Sequence, residues 1–169
     1  KPMLPSASID PMPTQDRKSR YTTVRWWIVG LLFLATVINY IDRQILSLIK
    51  PILDEELKWT NEEFGMVNSA FQGAYAIGLL FFGWFVDKFG EKIGYTVSIV
   101  SWSIAAMGHS FVSSVNGFFA ARTALGLGEA GNFPSAVKAT ATWFPQRERA
   151  FATTLFNAGT NVGPILAPA

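Results

Sequence analysis

Two pairs of oppositely charged residues lie inside long apolar stretches of the sequence, where charged side chains are uncommon. Asp42 and Arg43 are adjacent in the segment INYIDRQIL, and Arg122 and Glu129 are both in FFAARTALGLGEAG. The second pair is two helical turns apart, so both side chains share one helix face. An arginine can grip a carboxylate, and a buried acid can take up and release a proton. These four residues therefore predict a site for an anion and for protons.

An ion-pair network that only locks neighbouring helices together is the structural alternative for these charges. A lock needs one pair, whereas the charges fall at two estimated depths. From the helical rise, Asp42 and Arg122 lie roughly 9 to 10 Å from one end of their helices, and Glu129 lies roughly 20 Å from that end. The pattern favours a polar pathway between the two helices, in which Asp42 and Glu129 are proton-binding positions.

Further polar side chains could line the same pathway. For His109, the sole histidine, the alternatives are a proton relay and a surface or hydrogen-bonded role, and we expect the latter because the sequence places no acid near it. The other candidates are polar residues at helical spacing: Asn39 before Asp42, then Asn68, Gln72 and Tyr75, and finally Asn157, Thr160 and Asn161.

The elements that must position these residues are long segments without charge. No Asp, Glu, Lys or Arg occurs among the 23 residues 64–86 or the 29 residues 93–121. A membrane-spanning helix needs about 20 apolar residues. One such run could be the buried helix of a soluble protein, but consecutive runs argue against that. The sequence therefore predicts an all-α membrane protein with five spans, at residues 24–49, 64–86, 93–113, 116–140 and 149–169.

The charges between the spans predict the orientation. Basic residues occur in the N-terminal segment, in DKFGEK and in FPQRER, which share one side if the spans alternate. The opposite side has the acidic KPILDEELKWTNEE and the uncharged SSVN. By the positive-inside rule, the N-terminus is cytoplasmic. Residues 1–23 are rich in proline and are expected to form a disordered cytoplasmic tail. A start at Lys and a stop at GPILAPA suggest a fragment of a longer transporter.

Composition argues against several other classes of function. Cysteine is absent, which excludes disulfides and thiolate metal sites. No basic patch with interleaved aromatic residues indicates nucleic-acid binding. No metal-ligand cluster occurs, and no serine is paired with the lone histidine, so we expect neither an enzyme nor a cofactor. Small residues inside the spans predict close helix packing: Gly73, Gly78, Gly83, Gly126, Gly128, Gly131, Gly159 and Gly163.

Two motifs resemble those of the major facilitator superfamily. The segment FFAARTALGLGEAG resembles its helix 4 motif through Arg122, Gly126 and Gly128. The segment GWFVDKFGEKIG resembles its motif between helices 2 and 3, although Glu91 replaces an expected basic residue. In that family the latter motif helps to switch between outward-open and inward-open states. The resemblance implies this switch role for Gly83, Asp87, Lys88, Gly90 and Lys92.

Within the superfamily, NYIDRQ, RTALGLGEAGNFPSA and WFPQRERA together resemble the anion:cation symporter family, which includes bacterial hexuronate, galactonate and glucarate transporters. This resemblance covers residues 21–169. It implies a bundle of two six-helix halves, with residues 24–169 as transmembrane helices 1–5 of the first half. It also implies proton-coupled symport of a sugar acid or other organic anion.

The resemblance assigns roles to single residues. It implies proton coupling by Asp42 and Glu129, and substrate contact by Tyr40, Arg43, Tyr75 and Arg122. Helix 5 of the family commonly contributes a glutamine to the substrate, and Thr160 or Asn161 stands near that position, with Asn157 on the same ridge. The segment GTNVGPILAPA is similar to a glycine-rich motif of antiporters, but Ala167 and Pro168 replace its usual glycine pair, so antiport is not inferred.

The expected partners are a small anionic substrate, protons and the lipid bilayer. We expect the full-length protein to act as a monomer in the cell's inner (plasma) membrane. A non-transporting receptor or scaffold on the same helices is the alternative from another class. Such a protein would not need both acids within the membrane, which counts against it.

Overall fold

The computed structural model describes the backbone of residues 14–166 and the side chains of residues 23–165. Within that part of the chain every regular element is helical, which confirms the predicted all-α fold. The α-helices are α1 (Thr14–Leu57), α2 (Asn61–Phe89), α3 (Glu91–Gly108), α4 (Val115–Glu129), α5 (Asn132–Trp143), α6 (Gln146–Asn157) and α7 (Gly159–Leu166). A short 3₁₀ helix at His109–Phe111 extends α3. The predicted motif positions Ala167 and Pro168 lie outside the described residues.

The fourth and fifth predicted spans are each divided into two helices. The fourth span contains α4 and α5, separated at Ala130 and Gly131. Pro134 explains this break, because proline has no N–H to donate to the Ala130 carbonyl and its ring crowds that carbonyl. The fifth span contains α6 and α7, separated at Ala158 next to Gly159, and glycine is a weak helix former. The first break comes directly after Glu129.

The first helix begins earlier than the sequence predicts. The expected tail covered residues 1–23, but α1 begins at Thr14. Pro13 is the last proline of that segment, and no glycine or proline follows before residue 24, so nothing stops the helix from extending beyond its apolar part. Residues 14–23 are therefore helical in backbone, and residues 1–13 lie outside the described part of the chain.

The bundle has two ends with different charge. The basic end is formed by residues 87–92 and 144–149, and the acidic end by residues 50–63 and 112–115. At the basic end, α2 turns into α3 through Gly90, whose φ of 87° favours glycine. At the acidic end, a capping box between Thr60 and Glu63 starts α2. The turn before it is fixed by Asp54, which accepts hydrogen bonds from Lys50 and Trp59.

Glycines bring several helices into close contact, as predicted. A Cβ on Gly126 would lie 2.5 Å from the Phe71 carbonyl oxygen of α2, and one on Gly128 would lie 2.7 Å from the Trp102 nitrogen of α3. α4 is thus held between α2 and α3. Gly78, Gly131, Gly159 and Gly163 make similar close approaches. Gly73 and Gly83 make no such approach to the described residues 23–165, so six of the eight glycines pack as closely as predicted.

The outer surface of the bundle is apolar. Leu80 is 80% exposed, Trp27 72% and Ile77 66%, and many other large apolar side chains are similarly uncovered. Two of the described helices, α1 from Thr23 onward and α2, are long and apolar enough to cross a membrane. An apolar surface of this extent is unfavourable in water and is what a lipid bilayer covers.

Candidate functional site

An ion pair joins α1 to α4 inside the bundle. The Arg43 Nε donates to Glu129 Oε2 at 2.9 Å, and the Glu129 side chain is fully buried. The backbones of α1 and α4 make few close contacts, so the long Arg43 side chain is what joins the two helices here. The sequence predicted that these charges share a pathway, but it placed Arg43 beside Asp42 and did not predict its pairing with Glu129.

Aromatic rings hold the Arg43 guanidinium in place. Its central carbon lies 4.7 Å from the centre of the Tyr40 ring and 4.3 Å from that of Tyr75. Phe71 lies beneath both arginines, at 5.3 Å from Arg43 and 5.9 Å from Arg122. Such contacts stabilise a cation without using its hydrogen-bond donors. Both arginines are therefore fixed in position while some of their N–H groups stay available.

Several buried polar atoms around this ion pair have no hydrogen-bond partner among the described residues. They are Arg43 Nη2, Arg122 Nε, Glu129 Oε1 and Asn39 Nδ2. Arg122 is 3% exposed, and the described part of the chain gives it no ion pair within 4.0 Å. Leaving buried donors unsatisfied costs free energy, and a functional ligand is one reason to retain them. A carboxylate would satisfy two or more of these donors at once.

A cavity of about 400 Å³ opens from this cluster towards the acidic end. Its polar lining includes Asp42, Arg122 and His109, and the remainder is mostly apolar. The Asp42 carboxylate has Trp102 as its hydrogen-bonding neighbour and Arg122 as its positively charged neighbour. The sequence correctly brought Asp42 and Arg122 together. His109 has the expected hydrogen bond, to the Ala105 carbonyl, but it also lines the cavity together with Asp42. The sequence did not place it near an acid, because the depth estimate did not show which face of α3 turns inward.

A second buried polar group lies on the other side of Glu129, towards the basic end. The Tyr95 hydroxyl donates to Asn132 Oδ1 at 2.8 Å, and Asn132 Nδ2 lies 3.5 Å from Thr36 Oγ1. Ser98 donates to the Gly128 carbonyl at 2.7 Å, just before the helix break. These bonds fix the break between α4 and α5. No sequence pattern indicated them, because each residue is isolated on its own helix.

Other predicted site residues are not joined to the charged cluster. Gln72, Asn157 and Asn161 are exposed, and Asn68 and Thr160 are half-buried. Among residues 23–165 no hydrogen bond connects any of these side chains to Arg43, Arg122 or Glu129. Phe71 was not predicted, although it lies one turn from Tyr75 on the same ridge of α2. A search for aromatic residues next to the predicted arginines would have found it.

The predicted switch residues lie around the turn between α2 and α3. Asp87 forms an ion pair with Lys138 of α5 at 2.6 Å, a partner that the sequence did not indicate. Lys88 lies over the rings of Trp84 and Phe89. Gly83 lies near the end of α2, Gly90 lies in the turn, and Lys92 lies at the start of α3. The ion pair thus links α2 to the half of the fourth span that lies beyond the break.

For the transporter that the sequence resemblance implies, we expect Asp87→Asn to slow transport by the full-length protein by up to roughly fivefold, because an exposed ion pair contributes at most about 1 kcal/mol. Substrate affinity should change less than about twofold, since Asp87 is 74% exposed at the basic end, away from the buried arginines. Turnover and binding are measured separately on purified protein. Lys138→Gln is the matched variant and should reproduce the defect. A large loss of affinity with normal turnover would contradict this role.

Comparison with known proteins gives sequence relatives over most of the chain. The profile of the Major Facilitator Superfamily matches residues 32–169. The chain is 32% identical over 145 residues to a galacturonate transporter of Dickeya chrysanthemi, covering 86% of this chain and 42% of the relative. It is 33% identical to the hexuronate transporter of Escherichia coli (strain K12), covering 86% and 34%. It is 40% identical to the probable galactarate/D-glucarate transporter GudP of Bacillus subtilis (strain 168), covering 80% and 31%.

Solved structures give the same fold. A bacterial homologue of the human lysosomal transporter Spinster, in an inward-facing and occupied conformation, superposes with a TM-score of 0.80 at 22% identity, over 85% of this chain and 31% of that chain. The inward-facing unoccupied conformation gives a TM-score of 0.78. The chain spans between 31% and 42% of the length of the three transporters named above as sequence relatives.

Proposed function

The chain belongs to the Major Facilitator Superfamily, and on that premise we propose that the full-length protein is a secondary transporter that takes up a sugar acid together with protons. In this proposal Asp42 and Glu129 couple the protons. Arg43 and Arg122 bind the substrate carboxylate, with Tyr40 and Tyr75 beside it.

The Arg43–Glu129 ion pair is the observation that carries the proposal. The four charges of the cluster, on Asp42, Arg43, Arg122 and Glu129, sum to zero when all are ionised. Protonation of Glu129 breaks the ion pair, frees Arg43 and leaves one net positive charge. An uncompensated charge within the bundle is costly, and a bound carboxylate neutralises it. Proton and anion therefore favour each other's binding, which is the requirement for symport.

The substrate class follows from the relatives and from the chemistry of the site. The relatives are described as transporters of galacturonate, hexuronate and galactarate or D-glucarate, all of which are carboxylates with many hydroxyl groups. The free donors of Arg43 and Arg122 suit the carboxylate. The phenol groups of Tyr40 and Tyr75 offer hydrogen-bonding positions for sugar hydroxyls. Asn157, Thr160 and Asn161 are proposed to reach the substrate only when the rest of the protein closes over it.

The proposed placement is in the inner membrane of the cell, with the basic end in the cytoplasm and the protein working as a monomer. Residues 24–169 are then the first five spans of an N-terminal half. The positive-inside rule supports this orientation, because Lys88, Lys92, Arg147 and Arg149 lie at the basic end.

Cysteine labelling tests this orientation. The chain has no cysteine of its own, so Lys92→Cys and Lys58→Cys each place one thiol, at the basic and the acidic end respectively. Further cysteines elsewhere in the protein are first replaced by serine. A membrane-impermeant thiol reagent applied to intact cells should label position 58 and spare position 92 until the membrane is permeabilised. The opposite pattern would invert the proposed topology.

Uptake into proteoliposomes tests the proposed function. Full-length protein is reconstituted, and labelled D-galacturonate, D-glucuronate, galactarate and D-glucarate are each added outside at acidic pH. At least one of these acids should accumulate, and a protonophore that collapses the gradient should abolish the accumulation. Accumulation that survives the protonophore would refute proton coupling. Absence of uptake and exchange for all four acids would refute the substrate class.

A further inference from the structure

The cavity at the acidic end contains an ionisable group that the proposed mechanism does not use. His109 lines this cavity together with Asp42 and Arg122. His109 lies in the 3₁₀ helix after α3, and its ring packs against Phe118 with the ring centres 6.1 Å apart. The cavity of about 400 Å³ has room for roughly a dozen water molecules at about 30 Å³ each.

The hydrogen bond of His109 fixes which nitrogen can accept a proton. Nδ1 lies 2.8 Å from the Ala105 carbonyl oxygen, which can only accept a hydrogen bond. Nδ1 therefore carries the hydrogen, and Nε2 of the neutral ring has a free lone pair. Nε2 is buried and has no hydrogen-bond partner among residues 23–165. The ring is thus held by one nitrogen, while the other has a free lone pair but is covered, so water from the cavity reaches it only when the surrounding side chains move.

We propose that His109 is a proton-relay residue, whose Nε2 takes a proton from a hydronium ion at the acidic end and passes it through water in the cavity to the Asp42 carboxylate. This inference rests on the proposed proton coupling and adds the route by which the proton enters. The proton that binds Nε2 is the one that leaves it, so the ring returns to its neutral tautomer. Asp42 becomes neutral, and one hydronium ion at the acidic end becomes water for each transfer.

The charges around His109 suit a transient proton carrier. Arg122 of α4 is its cationic neighbour, and Asp42 of α1 is the acid in the same cavity. The rest of α3 contributes no other charged side chain near the ring. The positive charge of Arg122 repels a proton on the ring, and the negative charge of Asp42 attracts it. A histidine in this setting passes a proton on more readily than it stores one.

The test compares His109→Asn with wild type in proteoliposomes. The asparagine amide can still donate to the Ala105 carbonyl but cannot titrate, and His109→Gln is the second variant if the first does not fold. Labelled D-galacturonate or D-glucarate is used, whichever the wild type exchanges. We expect pH-driven uptake to fall about tenfold or more, with counterflow at equal pH unchanged, because counterflow needs no net proton entry.

Added imidazole should restore uptake to His109→Ala. Ser113→Ala, an exposed position outside the cavity, is the control and should behave as wild type.

The outcomes separate this inference from the proposed function. Wild-type rates of pH-driven uptake in both the Asn and Gln variants would overturn the relay and leave proton coupling intact. Equal loss of counterflow and uptake, with no imidazole rescue, would also overturn it, because that result assigns His109 a structural role. If the wild type itself shows no pH-driven accumulation, proton coupling fails and the relay fails with it.

Discussion

Arg122→Ala should weaken substrate binding to the full-length protein by roughly a hundredfold or more, equivalent to about 3 kcal/mol. Arg122 is almost fully buried and has a free donor at Nε, so a substrate carboxylate would be its main anionic hydrogen-bonding partner. The described residues give it no ion pair of its own, so the variant should fold. Binding is measured by titration of purified protein with the transported acid, and folding by thermal unfolding.

Two further variants make this result specific. Arg122→Lys should recover only part of the affinity, because an ammonium cannot grip a carboxylate with two parallel hydrogen bonds. Arg25→Ala is the matched control, since Arg25 also lies against aromatic rings and is half-buried, but it pairs with Glu148 at the basic end. The control should bind substrate normally. Full affinity in Arg122→Ala would show that the anion binds at another site. Full affinity in Arg122→Lys would show that Arg122 contributes only its positive charge.

The charged cluster was predictable from the sequence because charges in apolar segments are conspicuous. Helical spacing placed Arg122 and Glu129 on one face, and alternating spans placed Asp42 and Arg122 at one depth, which agrees with their shared cavity. The family resemblance, confirmed by the match over residues 32–169, implied the helix bundle in which these spans are arranged. The pairing of Arg43 with Glu129 could not be predicted, because it depends on the reach and rotamer of one long side chain.

Other features depend on tertiary contacts that leave no local pattern. The Asp87–Lys138 pair and the Tyr95–Asn132 hydrogen bond each join residues from different helices. No sequence pattern around any of these residues indicates which residue it pairs with. The break after Glu129 was readable in principle from Pro134, but the apolar run continued through it and masked the interruption. Gly83 fits the motif, yet a Cβ at this position would meet open space among residues 23–165, so no close helix contact in that part of the chain requires a glycine there.

Glu129→Gln should separate exchange from accumulation. For one proton per monoanion, a gradient of two pH units can sustain roughly a hundredfold accumulation in the wild type. The glutamine mimics a permanently protonated Glu129, so Arg43 stays free to bind the carboxylate and the loaded carrier can still change conformation. The variant cannot release its proton, and its accumulation ratio should fall to about one. Counterflow should proceed near the wild-type rate.

The control for this variant is Glu148→Gln, which makes the same chemical change in a glutamate that also pairs with an arginine at 2.9 Å. Glu148 is partly exposed at the basic end, so its loss should leave accumulation intact, whereas Glu129 is fully buried.

Asp42→Asn should reduce pH-driven uptake as well, with a smaller effect on binding than Arg122→Ala. Counterflow and pH-driven uptake in proteoliposomes measure both activities in one preparation. If Glu129→Gln concentrates substrate as well as the wild type does, Glu129 does not couple protons. The Arg43–Glu129 pair would then be a lock between α1 and α4, because a buried ion pair that merely joins two helices needs no change of protonation.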